Sequence, residues 1–241
     1  MTSRPLHLHG IFHGEAAPCS DTPAHRIIAL PAFNALVSDY ALDPDTAKIP
    51  PDDLADAALE HHHILQAYCA DHALLPMRFG TLFSGIPALE NAMQRERERY
   101  VRALQTLAGH REYSVEVLIG ETVPTEPTSS ATGRSFLSDR KQLRDLRRNI
   151  SLDRQTFARD LLHRVGTVTA HPLHSGAPKP DKLLDVTTLL SEVALAGLRR
   201  IAADADTRAK ALGLKLRITG PWPAYHVDPD ALLQEAACHG A

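Results

Sequence analysis

The hydrophobic residues of this chain switch period several times along its length, from every second residue to every third or fourth. Only a mixed fold accommodates that switching. Leu6-His7-Leu8-His9-Gly10-Ile11-Phe12 alternates as a strand does, and Ile27–Leu30 and Phe33–Val37 are two further short strands separated by Pro31. Residues 40–51 are rich in Asp and Pro and read as a loop. Beyond Pro51, Leu54, Ala58, His61, Leu65, Tyr68 and His72 recur at helical spacing, with Asp52 or Asp53 as the cap. Leu74-Leu75-Pro76 should end that helix, since proline lacks a donor and restricts the residue before it. A second helix is predicted from Pro87 to Leu107, with Gly109 as its breaker, and a strand from Tyr113 to Ile119.

With Phe79–Phe83 extended, the first 120 or so residues give about ββ(β)αβαβ, a ferredoxin-like arrangement with an altered first half. Glu121–Thr132 carries Pro124, Pro127 and a run of Ser and Thr without apolar periodicity, which marks a boundary. A long helical region follows, in which Phe136, Leu143, Leu146, Ile150, Phe157 and Leu161 line one side. A break near Ser151-Leu152-Asp153 is expected to split it in two. Val165–Leu173 and Leu184–Leu190 read as strands, Glu192–Leu212 as a helix and Leu214–Ile218 as a cleanly alternating strand. The expected class is α+β in two domains. Residues 1–122 form a modified ferredoxin-like domain, 123–132 a linker, and 133–241 an α+β domain with ferredoxin-like elements.

Composition narrows the functional classes. A 44% hydrophobic, 23% charged chain of 241 residues supports a core, but at 5% aromatic content aliphatic side chains must fill most of it. The net charge of −3 gives no global attraction to nucleic acid or anionic lipid. No apolar run is long enough to span a bilayer, and no signal peptide is evident. Cys19, Cys69 and Cys238 are widely spaced and odd in number, neither a disulfide framework nor a zinc knuckle, which suits a reducing cytoplasm.

A search for chemistry finds little. His61-His62-His63 invites a metal, yet consecutive helical residues point about 100° apart and cannot converge on one ion. The stretch Arg134–Arg164 holds nine Arg or Lys against four Asp, which fits a solvated face better than a protein contact, and either better than a phosphate backbone. No serine lies in a nucleophile elbow, Cys69 has no triad order around it, and Gly80, Gly85, Gly109 and Gly120 form no phosphate-cradling loop. The expectation is a non-catalytic protein without metal or cofactor.

Two segments stand out instead. In Leu75-Pro76-Met77-Arg78-Phe79-Gly80-Thr81, Pro76 fixes the approach, Gly80 permits positive φ, and Phe79 anchors the turn. In Gly220-Pro221-Trp222-Pro223-Ala224-Tyr225, two prolines stiffen the chain around the sole tryptophan. Either is a structural corner, or presents rigid Arg and aromatic groups to a partner at little ordering cost.

These blocks resemble the signatures of the gas vesicle protein F/L family, Leu-Pro-hydrophobic-Arg-Phe-Gly-Thr and Gly-Pro-Trp-Pro-Pro-Tyr. Leu75, Pro76, Arg78, Phe79, Gly80 and Thr81 match the first; Gly220, Pro221, Trp222, Pro223 and Tyr225 match the second, with Ala224 in place of a proline. Gly133-Arg134-Ser135-Phe136-Leu137 is similar to the start of the family's middle helix. Asp185–Leu190 departs from it, since relatives more often carry an Ala-Phe-Leu-Val-like strand there. The resemblance implies the two-domain architecture above, a location in gas vesicle or cytoplasm, and a minor structural or assembly role. Its implied partners are the main shell protein and other accessory gas vesicle proteins, with no nucleic acid or lipid membrane. The alternative is a soluble chaperone that is not retained in the shell. No catalytic residue is carried over.

Overall fold

A computed structural model describes residues 5–15, 25–39, 54–120 and 133–227, with the side chains of 133–139 left out of the description. The helix cap expected at Asp52 or Asp53 and the linker 123–132 lie outside these residues. The chain is α+β, with two sheets and five helices among the described residues. It forms two compact units, Met1–Glu112 together with Pro221–Ala241, and Tyr113–Gly220.

The first unit holds β1 (Leu6–Phe12), β2 (Arg26–Ala29), β3 (Asn34–Asp39), α1 (Leu54–Cys69), β4 (Leu74–Pro76), β5 (Leu82–Phe83), α2 (Ile86–Arg95) and α3 (Arg97–Leu107). Strand order is β2-β3-β1-β4, and β5 also pairs with β1. Every residue of β1 is buried, as befits a strand hydrogen-bonded on both edges. β3 pairs antiparallel along one edge, while β4 and β5 follow one another along the other. Leu74-Leu75-Pro76 is therefore not a helix end; the helix stops at Cys69 and these residues pair with Gly10–Phe12. The helix expected over Pro87–Leu107 is interrupted at Glu96, whose φ of −102° and ψ of 12° leave the helical ladder between α2 and α3.

Pairing of β1 with β3 steps from Leu8↔Val37 to Gly10↔Leu36, so His9 is an extra residue, a β-bulge. A bulge shifts the alternation by one. His7 and His9 on one side of it, and Phe12 on the other, accordingly all meet α1, through His61 and Tyr68 respectively. Gly10 belongs to the same face. A Cβ there would lie 2.9 Å from Leu65 Cδ2 and 3.0 Å from the Leu75 carbonyl oxygen. Gly10→Val should therefore destabilise the first unit by about 1–3 kcal/mol through overpacking. A thermal melt of the variant checks this; an unchanged midpoint would refute the close packing of β1 on α1.

The second unit contains α4 (Gly133–Gly166), β7 (His174–Ser175), β8 (Lys182–Ser191), α5 (Glu192–Ala211) and most of β6 (His110–Ile119) and β9 (Leu214–Trp222). Its sheet runs β7-β8-β6-β9. The strand at Tyr113–Ile119, assigned from the pattern to the first domain, thus belongs to the second sheet, and the residues from Pro221 return to the first unit. Val115, Val117, Val186 and Leu214 meet Phe157, Leu161 and Val165 of α4 and Leu195, Leu198 and Ala205 of α5 in one core.

α4 is a single 34-residue helix without the break expected at Ser151–Asp153. Those residues are exposed, so their polar side chains are solvated and cost the helix only their modest propensity. Leu146, expected on the buried side, is 49% exposed; burial begins near Phe157. Val165–Leu173 is not a strand, because α4 continues to Gly166 and only His174–Ser175 pairs with β8. Ser191 caps α5 by accepting the Ala194 N–H at 3.2 Å.

Candidate functional site

The block Leu75–Thr81 spans the gap between β4 and β5, a detour in the chain that lines β1. Leu75 is buried and pairs with Ile11, and Pro76 pairs with Gly10. Met77 N–H then donates to the His9 carbonyl at 2.8 Å, and Leu8 N–H donates to the Thr81 carbonyl at 2.9 Å. Between them the chain turns. Thr81 closes the turn twice on the Arg78 carbonyl, through its N–H at 3.1 Å and its hydroxyl at 2.6 Å. Gly80 has φ +82°, which a side chain would strain, and its N–H donates to His7 Nε2 at 3.2 Å. Phe79 covers the imidazoles edge-on, 5.4 Å from His7 and 5.6 Å from His61. Arg78 is exposed.

Inside this turn lie three buried histidines. His7, His9 and His61 are 1%, 1% and 4% exposed. His7 and His61 stack at 5.1 Å, and Nδ1 of His9 lies 3.0 Å from Nδ1 of His61. The other nitrogen of His9 meets the Ser38 hydroxyl of β3. Burial, which disfavours the charged ring, lowers all three, His7 and His61 to about 4 and His9 to about 2. Repulsion from neighbouring rings adds to the effect, from His61 at His7 and from His7, His61 and His25 at His9. At His61 a hydrogen bond to the Met77 backbone partly offsets the burial, and repulsion from His62 adds to it. The rings are neutral at physiological pH and therefore competent as metal ligands. One ligand nitrogen from each lies within 4.8 Å of the others.

His61, His62 and His63 meet three different environments, buried, half-buried and exposed. The turn of the helix that keeps His62 out of the histidine cluster carries it to the other block. His62 Nδ1 bonds the Tyr225 hydroxyl at 2.8 Å, its ring stacks on Tyr225, and Trp222 lies 6.1 Å away. Pro223 and Ala224 are buried. Beyond them His226 makes two 3.0 Å contacts with the buried carboxylate of Glu112, through its backbone N–H and Nδ1. Gly220, at φ +129°, and Pro221 stand within β9, so the strand runs through the first half of the expected corner. α1 thus carries the Leu75–Thr81 turn on His61 and the Gly220–Tyr225 corner on His62. Gly133 and Arg134 are distant in sequence from both, at the start of α4.

Cys69, on the same helix, is buried, and burial pushes its thiol up to about 11. Such a thiol is almost wholly protonated near neutrality. Brief alkylation of native protein followed by peptide mapping should leave Cys69 unmodified, and denaturation should expose it. Rapid native labelling would contradict the packing.

A family model described as gas vesicle synthesis protein GvpL/GvpF matches residues 10–226. This chain belongs to the GvpL/GvpF family. Gas vesicle protein L from Streptomyces sp. (strain CB03234) is 28% identical over 186 residues, 71% of this chain and 68% of the relative. In fold, the chain is similar to the crystal structure of GvpF from Anabaena sp. PCC7120, with a TM-score of 0.65 at 15% identity over 92% of this chain and 97% of that one. GvpF from Microcystis aeruginosa is similar with a TM-score of 0.61, also at 15% identity, over 92% and 98% of the two chains. The blocks that carry the resemblance to the GvpL/GvpF family are those held by α1, whereas the histidine cluster was missed by sequence reasoning. Its only local trace is the His-x-His of β1; His61 joins it from 52 positions along the chain.

Proposed function

We propose that this GvpL/GvpF-family chain acts without catalysis in gas vesicle formation, binding the main shell protein and other accessory gas vesicle proteins through non-covalent contacts. The observation that carries the reading is the family match over residues 10–226, which takes in both signature blocks. The rigidity of those blocks supports it. Thr81 and Gly80 lock the first turn, and Pro221, Pro223 and the His62–Tyr225 bond stiffen the second. Exposed groups on such segments, Arg78 and the 44% exposed Tyr225, can engage a partner with little loss of freedom.

Its place is at the gas vesicle, assembled in the cytoplasm, in contact with protein rather than with nucleic acid or lipid. No helix among the described residues is long and apolar enough to cross a membrane. Both units belong to the ferredoxin-like class in this reading. The β-α-β-β-α-β element order of the second unit and its β7-β8-β6-β9 sheet support that description, with the first unit a modified version.

Deleting the gene in a vesicle-forming cell should reduce vesicle number or yield misshapen, weak vesicles. Normal number, shape and collapse pressure would sink the proposal. Washing purified vesicles and probing them for this chain then separates a shell component, which stays, from a soluble assembly chaperone, which is lost.

A further inference from the structure

We propose that His7, His9 and His61 form a transition-metal site within the first unit, of a kind suited to Zn²⁺. Three imidazoles from β1 and α1 converge in a buried place, each with a ligand nitrogen within 4.8 Å of the others. The 3.0 Å between Nδ1 of His9 and Nδ1 of His61 is close to the roughly 3.3 Å that separates two nitrogens on one tetrahedral zinc ion. Imidazole nitrogen is a ligand type that zinc accepts readily.

One outer nitrogen is held in the manner of a metal site. Ligating histidines use the second ring nitrogen to bond a carbonyl, carboxylate or other polar group, which fixes ring and tautomer. Nε2 of His9 faces the Ser38 hydroxyl in this way. Without an ion, the contact between the two Nδ1 atoms requires a proton on one of them. Loading moves that proton to the outer nitrogen of the same ring, and both Nδ1 lone pairs turn to the ion. For His9 the outer nitrogen is Nε2, whose N–H the Ser38 oxygen accepts.

His7 contributes the third nitrogen. Its Nε2 lone pair receives the Gly80 N–H at 3.2 Å, a bond that is lost whether that lone pair turns to the ion or Nε2 takes the ring proton to free Nδ1. Loading therefore relaxes the Gly80 turn and couples the metal to the Leu75–Thr81 block. The donor set is wholly neutral, so the loaded site keeps the full charge of the ion.

The test uses the full chain, purified without a histidine tag and stripped with chelator, then titrated with Zn²⁺ and Co²⁺. One equivalent of Zn²⁺ should bind and raise the melting temperature, and Co²⁺ should give intense tetrahedral d–d bands. His9→Asn and His61→Asn should each lower the affinity at least tenfold. His63→Asn, at the exposed position of the same helix, should leave it unchanged. Binding that survives the first two substitutions, or that falls equally with the third, would overturn the assignment. Should the buried variants fail to fold, the wild-type protein decides: the imidazole nitrogen resonances of the three buried histidines must shift on adding Zn²⁺. Unmoved resonances or the absence of stoichiometric binding would also overturn it.

Discussion

Acidification from neutral pH to about pH 5, with chelator present, should strip the first unit of several kcal/mol of stability. His7, His9 and His61 titrate at about 4, about 2 and about 4 in the folded chain, against 6.5 for the free side chain. Below pH 6.5 the unfolded chain takes up protons that the folded chain refuses, so stability falls as pH falls. The slope is about 1.4 kcal/mol per pH unit for each histidine, or roughly 2 kcal/mol per histidine at about pH 5. Stability is full above pH 6.5, and the decline from His7 and His61 ends near pH 4, where their folded forms also protonate. Against a typical total of about 5–15 kcal/mol, this is a large fraction. Trp222, the sole tryptophan, lies in the first unit beside His62 and reports on it. Urea titrations followed by its fluorescence should show the midpoint dropping steeply between neutral pH and about pH 5; a constant midpoint would exclude a neutral buried cluster.

The second large effect lies in the other unit. Glu116→Ala should destabilise it by about 3 kcal/mol, at the lower end of what breaking a buried ion pair costs. The Glu116 side chain is 8% exposed and pairs with Lys182 and Arg217. Lys182, itself 12% exposed, would keep Asp185 alone among the described residues, at 2.8 Å. That residual partner moderates the loss. Arg217→Ala should cost far less, because the Arg217 side chain is 49% exposed and easily solvated. Denaturation followed by circular dichroism tests the ranking, and equal effects from the two substitutions would refute it. The bond from Arg217, assisted by Lys182, holds the Glu116 carboxyl below its usual 4.5. Its contribution is therefore intact above pH 4.5 and disappears as pH falls through the folded value. The two units thus answer to different acid ranges, the histidine cluster first and the carboxylate later.

Most of the local structure was legible in the sequence because it rests on periodicity. β1, α1, β8, α5 and β9 fall where alternation or helical spacing places them. The failures are of another kind. The strand at Tyr113–Ile119 announces itself but not its partners, and pairing with β8 and β9 is a long-range choice that no local window contains. Ser151–Asp153 looks like a helix break only if the helix there is assumed to be buried; exposed, it is tolerated. At the site, the turn chemistry of Pro76 and Gly80 was readable residue by residue, whereas the two bonds by which Thr81 closes the turn were not. The histidine cluster was not, because a bulge at His9 sets which side of β1 each ring occupies, and a bulge leaves little mark in composition.

The return of the chain to the first unit at Pro221 has a consequence for the order in which this protein is made. Synthesis runs from the N-terminus, so Tyr113–Gly220 is complete before Trp222, Tyr225 and His226 exist. The second unit is continuous in sequence and can collapse on its own contacts as it emerges. The first must wait, with His62 of α1 and Glu112 of β6 unsatisfied, until the segment holding Tyr225 and His226 joins them across 163 and 114 positions. Closing so long a loop is slow, and it comes last. The first unit is sealed only when the segment from Pro221 has joined it, so its closure depends on residues made after the whole of the second unit.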